Sequence, residues 1–489
     1  MNNLKITFFG GAGSTTGANI MLEVGSNPTS PKLRGTRILV DCGLLQGARF
    51  AEDKNFENFK YNPAEIDFLL ITHAHMDHIG KVPKLVRDGF KGKIISTVET
   101  MELARPMLVD ALKVMQARHP NQTLFEEADI NKSFALWEGR SYEEKINLFE
   151  NCSLFMQDAG HILGSAICNV TCGVGEESKT IAFTGDLGNS PSPILPDTET
   201  PKGVDYLVME SVYGDRNHES KDERRQKLKQ AILNGQERGG TIVIPAFSIE
   251  RTQVLLYELN NMIEDQEIPK VPVFLDSPLA LKVTDIYKKY QKDFKPSVQQ
   301  EIQSGDDIFD FPGLQIVRNT RESEEIEKLA GPKIILAGSG MSEGGRVVSH
   351  EARFLPDPTA TIILVGYQSV GSLGRAIQDG VKEVFIETDG DKSNGKEKVK
   401  VRATIENITG YSSHKDSEHL LEFVEKVNDS TSPPTPLLAK ERGEGKKGLK
   451  RVFVIMGEPK SSLFLTQRIR DYLDIDAVYP EENKEYELK

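Results

Sequence analysis

The first half of the chain alternates short apolar runs with amphipathic segments. The apolar runs are rich in β-branched residues and end in glycine or a polar residue, as in LKITFFGG, TRILVDCG and IDFLLITHAH. Runs of this length predict strands whose polar ends gather at one edge of a sheet. Segments between them, such as TMELARPMLVDALKVMQARH, carry apolar residues at helical spacing and predict helices that cover the sheets. The pattern therefore predicts an α/β fold.

The pattern changes near Arg216. A charged amphipathic segment leads into TIVIPAF, and strand-like and helix-like segments then alternate through PKIILAGSG and TATIILVGYQ. This alternation predicts βαβ units and a mainly parallel sheet. Short strand-like runs then return, and we interpret them as completing the first domain. The sequence thus predicts a domain in two parts, residues 1–214 and 375–489, with a second domain, residues 215–374, inserted between them.

Two stretches of the completing part are rich in glycine, proline, serine and charged residues. They cover residues 388–398 and 428–450. Such segments bury too little apolar area to order themselves. We predict that both are flexible loops.

Composition narrows the classes of function. The 489 residues include 60 Lys and Arg against 73 Asp and Glu, a net charge of −13. This acidity argues against a protein that coats nucleic acid nonspecifically, because such affinity rests on Lys and Arg, but it leaves room for a nucleic-acid enzyme with a local positive groove. No apolar run resembles a signal peptide or approaches the roughly 20 residues of a membrane helix, so we expect a cytoplasmic protein without a membrane partner. No CxxC spacing occurs, so we expect reduced, buried thiols rather than disulfides or zinc ligands at Cys42, Cys152, Cys168 and Cys172.

The strongest chemical signal is the segment THAHMDHIG, residues 72–80, directly after an apolar run. Three of the nine histidines of the chain fall within six positions there, together with an aspartate. Imidazole and carboxylate groups are preferred ligands of zinc and similar metals. A loop at a strand end can turn His73 and His75 toward one ion, and Asp77 and His78 toward another.

Three further candidates follow at predicted strand ends. His161 lies in GHILGSA, Asp186 in FTGDLGN and His414 in GYSSHKD. A carboxylate such as that of Asp186 can bridge two ions. Asp186 or His414 alone would be as consistent with a capping or buried role, but their order after HxHxDH favours a shared metal site.

With these motifs the sequence resembles the metallo-β-lactamase superfamily and, within it, the β-CASP nucleases. The segments MESVYGD, IPAFSIERTQ, LDSPLA, GSGMSEGGR and VGYQSVGSLGR also resemble the inserted domain of bacterial members. The resemblance covers nearly the whole chain apart from the two loop stretches. It implies a metallo-β-lactamase αββα sandwich with an inserted β-CASP domain, a mainly parallel sheet flanked by helices.

The resemblance also implies the role of each candidate residue. His73, His75 and His161 would bind one zinc, Asp77, His78 and His414 the other, and Asp186 would bridge them. Asp41, in ILVDCGLLQG, matches a carboxylate that supports the ligands, and Glu210, in MESVYGD, would orient a ligand imidazole. The catalytic residues on this view are Asp41, Asp77, Asp186, Glu210 and His414.

Two positions depart from the family pattern. Ala376 follows GSLGR where the family often has a histidine, and Met456 stands in VIMGEP where relatives commonly read HGE. Alanine donates no proton, so we expect His350, His218 or water to protonate the leaving group, and we expect Ala376→His to raise the rate if this step is limiting.

Substrate contacts are expected mainly in the glycine-rich segment GSGMSEGGR. Backbone N–H groups at a helix start bind phosphate, and an arginine adds a bidentate donor. For Arg251 and Arg375, structural ion pairing is an equally good interpretation. For His350, the alternative is a surface or helix position without a role in binding. The candidates are Ser339, Gly340, Arg346, His350, Arg251 and Arg375.

The resulting hypothesis is a dizinc hydrolase that cleaves single-stranded RNA by a metal-bridging hydroxide, as an endonuclease. Activity as a 5′ exonuclease is a further expectation. A homodimer is a further expectation from the family. The first alternative is a hydrolase of a small ester or thioester. The second is an RNA-binding scaffold with weakened catalysis, which Ala376 and Met456 favour and the intact ligands oppose.

Overall fold

The computed structural model describes residues 4–25, 35–47, 53–386, 397–431 and 448–489. The strands up to residue 209 are β1 (Leu4–Gly10), β2 (Asn19–Val24), β3 (Thr36–Val40), β4 (Phe68–Leu70), β5 (Lys93–Thr97), β6 (Trp137–Arg140), β7 (Lys145–Phe149), β8 (Cys152–Asp158), β9 (Ala166–Cys172), β10 (Lys179–Phe183) and β11 (Tyr206–Met209). The helices of the same stretch are α1 (Met76–Ile79), α2 (Val82–Arg87), α3 (Val98–Arg118) and α4 (Glu127–Ala135).

The rest of the chain continues in alternation and ends in short strands. Its helices are α5 (Lys221–Glu237), α6 (Arg251–Glu264), α7 (Pro278–Lys289), α8 (Pro296–Gln303), α9 (Thr320–Lys328), α10 (Arg346–Phe354), α11 (Leu373–Gln378), α12 (Ser417–Thr431) and α13 (Pro459–Leu473). Its strands are β12 (Thr241–Pro245), β13 (Val273–Asp276), β14 (Leu314–Ile316), β15 (Lys333–Ala337), β16 (Thr361–Leu364), β17 (Glu383–Ile386), β18 (Glu397–Lys400), β19 (Thr404–Asn407), β20 (Arg451–Val454), β21 (Ala477–Val478) and β22 (Glu485–Leu488).

Two seven-stranded sheets face each other. Their strand orders are β22-β1-β2-β3-β4-β5-β6 and β21-β20-β11-β10-β9-β8-β7. One apolar cluster between them contains residues of both, including Ile6 and Leu22 from one sheet and Met156 and Phe183 from the other. Helices α12 and α13 cover the outer face of the second sheet, and α3 and α4 lie on the first. This αββα arrangement confirms the predicted fold class.

The central strands read as continuous apolar runs because both faces of each sheet are buried. In β4, Leu69 belongs to the cluster under the helices, whereas Leu70 belongs to the cluster between the sheets. In β11, Leu207 and Val208 divide in the same way. Since successive side chains of a strand point to opposite faces, a strand buried on both sides needs apolar residues throughout.

The third sheet is parallel throughout. Its order is β14-β13-β15-β12-β16-β19, and every neighbouring pair is parallel. Residues of α9, α10 and α11 pack on one face, and residues of α5, α6 and α7 lie in the cluster on the other. This confirms the predicted parallel sheet flanked by helices.

The third sheet includes a strand that was predicted to belong to the second part of the first domain, residues 375–489. Residues Thr404–Asn407 pair with Thr361–Leu364 in parallel register, and the β17-β18 hairpin packs beside them. A short run such as Thr404–Asn407 fits either sheet by its sequence, so only tertiary packing determines which strand it pairs with. We therefore propose that the inserted domain extends to Asn407.

The predicted loop stretches lie largely outside the described residues, at 388–396 and 432–447. The described ends of these stretches are ordered elements, since residues 397–398 begin β18 and residues 428–431 end α12. Within the described part of the chain, no helix combines the length and apolar character needed to cross a membrane. The cytoplasmic location stays a prediction.

The expectation of four reduced cysteines is wrong for two of them. Cys152 and Cys172 form a disulfide, while Cys42 and Cys168 are free and buried. The paired residues face each other directly in the antiparallel register of β8 and β9. Sequence spacing does not reveal this register.

Candidate metal centre

The predicted ligands lie at the ends of strands from both sheets of the sandwich. His73 and His75 follow β4, His161 follows β8, and Asp186 follows β10. His414 reaches the same edge through an isolated bridge with Gly188. Residues from four separate segments of the chain are thus brought into one place.

Four donor atoms form the first group. Nδ1 of His75 lies 3.1 Å from Nε2 of His73 and 3.2 Å from Nε2 of His161. Oδ2 of Asp186 lies 3.3 Å and 3.5 Å from the same two Nε2 atoms. Donors at tetrahedral positions around zinc are separated by about 3.4 Å, so this group has the spacing of a zinc site.

A second group shares Asp186 and contains Asp77 and His78. Nε2 of His78 lies 3.4 Å from Oδ1 of Asp186 and 3.8 Å from Oδ2 of Asp77. Both Nε2 of His78 and Oδ1 of Asp186 are buried without a hydrogen-bond partner. Once Nε2 of His78 has given up its proton, these two atoms are buried acceptors that face each other, an arrangement that suits a cation between them.

His414 belongs to a third group, with Asp186 and Glu210. Its Nδ1 lies 3.0 Å and 3.1 Å from the two carboxylate oxygens of Glu210, and 4.0 Å from Oδ2 of Asp186. It is not in the group of Asp77 and His78. The structure therefore brings His414 to the centre, but beside Glu210 rather than beside its predicted co-ligands.

Asp41 orients two of the predicted ligands, His78 directly and His73 through Thr72. Its Oδ2 accepts hydrogen bonds from Nδ1 of His78 at 2.7 Å and from the Thr72 hydroxyl at 2.8 Å. Because that hydroxyl donates to Asp41, it can accept from Nδ1 of His73, 3.1 Å away. Protonation of both Nδ1 atoms leaves Nε2 of each ring as a lone-pair donor.

Two further imidazoles, those of His161 and His414, are oriented by other groups. Nδ1 of His161 donates to the carbonyl oxygen of Ser413 at 3.0 Å. Glu210, which is fully buried, orients Nδ1 of His414 and also accepts from the backbone N–H of Leu187 at 2.7 Å. The carboxylate of Glu210 thus positions both His414 and the loop that carries Asp186.

The pKa values reflect the burial of the cluster. Burial lowers the pKa of His73, His75 and His161, which keeps these rings neutral. Burial also pushes up the pKa of Asp186, but the imidazoles of His78 and His414, whose own pKa values are raised by the nearby carboxylates, outweigh it and hold that pKa well below its usual range. Asp186 is therefore a carboxylate ready to accept positive charge.

The loop after β3 approaches the metal-binding segment closely. The backbone N–H of Cys42 donates to the carbonyl oxygen of His78 at 2.7 Å. A Cβ atom on Gly43 would lie 1.5 Å from the carbonyl oxygen of Asp77. Only glycine permits this approach, which connects the Asp41 loop to the ligands.

The donor sets fit divalent cations. Neutral imidazoles and carboxylates with free donor atoms match the ligands that zinc takes in proteins. Four donors can hold one ion, His73, His75, His161 and Asp186, and three can hold a second, Asp77, His78 and Asp186.

A groove of about 480 Å³ opens over the centre. Its walls come from the sandwich and from the third sheet, and they include His75, Asp186, His414, Arg251, Ser339 and Arg346. Arg251 is 6% exposed, and in the part of the chain that the structure describes it makes no ion pair. Its Nε is buried without a partner, so the alternative interpretation of structural ion pairing does not apply to it.

The other predicted substrate contacts are placed differently. Arg346 pairs with Asp276, whose other oxygen accepts a hydrogen bond from His350 at 2.7 Å. His350 is fully buried and does not line the groove; neither do Gly340 and Arg375. Arg375 bonds to Asp379 through Nε at 3.0 Å. The charges of Arg346 and Arg375 are therefore paired with the carboxylates of Asp276 and Asp379.

The positions that depart from the family pattern do not line the groove either. Ala376 packs against the apolar cluster of the third sheet, and the effect of Ala376→His on the rate stays a prediction. Met456 is 2% exposed and belongs to the cluster between the sheets. His218, a suggested proton donor, bonds through Nε2 to the carbonyl oxygen of His414 at 3.0 Å, so it supports that loop.

Two residues of the site were missed in the sequence. Thr72 passes the hydrogen bond from Asp41 to His73, and the carbonyl group of Ser413 holds His161. Each stands directly before a recognised metal-site residue. This adjacency was the available signal.

Two family models match the chain. The one described as metallo-beta-lactamase superfamily matches residues 33–236, and the one described as Beta-Casp domain matches residues 252–377. Together they cover the sandwich strands that carry most of the donors and most of the third sheet.

Curated relatives agree with these matches. A ribonuclease from Thermus thermophilus is 34% identical over 86% of this chain and 91% of its own length. Transcription termination factors from Methanosarcina mazei and Methanocaldococcus jannaschii are each 30% identical over 90% and 87% of this chain, which spans 66% and 65% of their lengths. The chain therefore belongs to the metallo-beta-lactamase superfamily and carries a Beta-Casp domain.

Proposed function

We propose that this chain is a zinc-dependent ribonuclease that holds two zinc ions and cleaves phosphodiester bonds of single-stranded RNA. The observation that carries the proposal is the pair of donor groups that share Asp186 at the floor of the groove. The ribonuclease among the relatives supports RNA as the substrate. We propose endonuclease cleavage as the main activity, with 5′ exonuclease cleavage as a second mode.

Two adjacent zinc ions supply a hydroxide nucleophile near neutral pH and neutralise charge on a phosphodiester in the transition state. The protein side chains have the task of holding the donor atoms in place. Asp41 and Thr72 direct Nε2 of His73 and His78 inward, and the Ser413 carbonyl does so for His161. Mutation of hydrogen-bond partners of this kind typically lowers metal affinity or activity by about 10- to 100-fold.

We propose His414 as the residue that protonates the leaving oxygen. Its side chain is 19% exposed and lines the groove. Because Nδ1–H of His414 donates a hydrogen bond to Glu210, Nε2 is the atom that can carry a second proton for the leaving group. A positioned acid of this kind contributes about 100- to 10,000-fold. On this proposal His414 is a catalytic acid, and the second zinc keeps Asp77, His78 and Asp186.

Arg251 is the proposed contact for the RNA backbone. Its guanidinium group has no carboxylate partner among the described residues, and it lines the same groove as the donor groups. Arginine donates to phosphate through a planar fork. Ser339 and the glycine-rich turn also line this groove, where they would contact a neighbouring phosphate.

The size of the groove supports a second candidate. A volume of about 480 Å³ also lies in the range of small-molecule sites. Hydrolysis of a small ester or thioester at the same donor groups is therefore the alternative to RNA cleavage.

One experiment separates the two. The purified chain, loaded with zinc, is incubated with end-labelled single-stranded RNA, with DNA of the same sequence and with a thioester panel. We expect the wild type to cleave RNA and Asp186→Asn to have no activity. Asp310→Asn, at an exposed position, is the control and should cleave RNA as the wild type does. Comparing 5′-phosphate with 5′-hydroxyl RNA distinguishes internal cleavage from 5′ exonuclease action. Thioester turnover without RNA cleavage would overturn the proposal.

A further inference from the structure

A second, much smaller cavity lies behind the metal centre. It has a volume of about 20 Å³ and is lined by His161, Glu250 and residues 411–413, among others. Two arginines, Arg224 and Arg251, also border it. Arg251 lines both this cavity and the main groove, so it stands between the two.

Both arginines are almost completely buried. Arg224 is 4% exposed and Arg251 6%. Nη1 of Arg224 donates to the carbonyl oxygen of Gly410 at 2.9 Å. Nε and Nη2 of Arg224 and Nε of Arg251 are buried without any hydrogen-bond partner. Among the described residues neither guanidinium group forms an ion pair, although buried charges are normally paired.

The remaining groups around the cavity do not supply the missing negative charge. Glu250 is the acidic residue that lines it, and its Oε2 already accepts a hydrogen bond from Tyr287 at 2.7 Å. Burial raises the pKa of Glu250 to about 7, which weakens its charge near neutral pH. The ring of Tyr411 packs against the guanidinium group of Arg224, 5.2 Å from the ring centre, and its hydroxyl is buried without a partner.

The size of the cavity limits what can fill it. A volume of about 20 Å³ accommodates one particle of the size of a water molecule, which excludes phosphate and larger oxyanions. A water molecule could accept the free hydrogen bonds, but it would leave two buried positive charges uncompensated. A monatomic anion satisfies both requirements.

We propose that this cavity binds a single halide ion, held by the guanidinium groups of Arg224 and Arg251 and by the hydroxyl of Tyr411. Chloride is the halide expected under ordinary ionic conditions. The cavity shares His161 with the metal centre, but the proposed halide requires no zinc for its charge balance.

The proposed halide supports the metal centre through the segment that forms one wall of the cavity. Residues 411–413 line it, and the carbonyl oxygen of Ser413 holds Nδ1 of His161. His414 follows directly. By neutralising Arg224 and Arg251, the ion stabilises this wall and therefore the positions of His161 and His414.

The first test is crystallographic and uses the full-length wild-type protein. Crystals grown in sodium bromide are measured at the bromine absorption edge. The expected result is an anomalous peak in the cavity between Arg224 and Arg251. A water molecule in the cavity without anomalous signal would overturn the proposal.

The second test measures thermal unfolding at constant ionic strength while sodium gluconate is replaced by sodium bromide or chloride. The wild type is expected to gain about 2–4 °C in Tm with saturation, whereas Arg224→Gln should show no halide dependence. Arg353→Gln, at an exposed arginine, is the matched control and should behave as the wild type. Equal melting temperatures of the wild type in gluconate and halide would contradict the proposal, even if Arg224→Gln fails to fold.

Discussion

Oδ2 of Asp41 accepts a hydrogen bond from Nδ1 of His78 at 2.7 Å, although 37 residues separate them in the chain. Oδ1 of the same carboxylate accepts from the backbone N–H of Thr72 at 2.8 Å. Asp41 therefore ties the start of the metal-binding segment to its last ligand, and it does so at 1% exposure. A carboxylate in this position determines which nitrogen of His78 faces the centre.

Replacing Asp41 tests this relationship. Asp41→Ala is expected to weaken the zinc held by Asp77, His78 and Asp186 by about 10- to 100-fold, because the ring of His78 loses its partner. Competition with a chromogenic chelator measures the affinity. Asp379→Ala, which removes an exposed carboxylate bonded to Arg375, serves as the control. Unchanged affinity for both ions in Asp41→Ala would contradict the assigned role.

The two donor groups should bind zinc unequally. The group of His73, His75, His161 and Asp186 offers four donors, whereas the group of Asp77 and His78 offers three when it shares Asp186. Zinc titration of the metal-free protein, followed by calorimetry and native mass spectrometry, is expected to give two steps. Asp77→Ala should abolish the weaker step and leave the tighter one. A single step with two equal sites, or loss of both ions in Asp77→Ala, would argue against the grouping.

His414→Asn distinguishes a proton donor from a metal ligand. The amide N–H of asparagine can still donate to Glu210, so the loop should keep its position. We expect two zinc ions to remain bound and RNA cleavage to fall by about 100- to 10,000-fold. Cleavage of a p-nitrophenyl phosphodiester should fall much less, because its leaving group needs no proton.

His419→Asn is the control for that variant, since the side chain of His419 is 43% exposed and bonds to Asp416. Metal analysis decides between the two roles. Loss of one zinc in His414→Asn, but not in His419→Asn, would restore His414 as a ligand.

Glu351 should make stability depend on pH. It is fully buried, accepts a hydrogen bond from Ser342, and its pKa is raised by burial from 4.5 to about 8. The folded protein therefore holds this proton more tightly than the unfolded chain, so stability is fully present below about pH 4.5 and is lost as pH rises to about 8.

Glu351→Gln removes this titration. The variant should exceed the wild type by about 2–4 kcal/mol in free energy of unfolding at pH 9, with little difference at pH 4.5. Denaturant unfolding at a series of pH values measures it, with Glu324→Gln at an exposed position as the control. Parallel pH profiles of wild type and Glu351→Gln would refute the prediction.

The sequence by itself determined the family, the α/β class and the set of imidazoles and carboxylates that the fold brings together. The reason is local in the chain: three histidines and an aspartate within six positions are rare outside a metal site, and continuous apolar runs with polar ends mark strands covered on both faces. Arg251 was also found in the sequence, although its ion pairing was left open.

Only the tertiary structure decided how these groups are paired. Strand register joined Cys152 to Cys172 and placed Thr404–Asn407 in the third sheet. Packing placed Arg346 in an ion pair with Asp276 and buried His350. It also placed His414 within hydrogen-bond distance of Glu210. These outcomes depend on contacts between residues up to 204 positions apart in the chain. A local pattern shows which chemical groups are available, but which partner each one meets is fixed by how the sheets and helices pack.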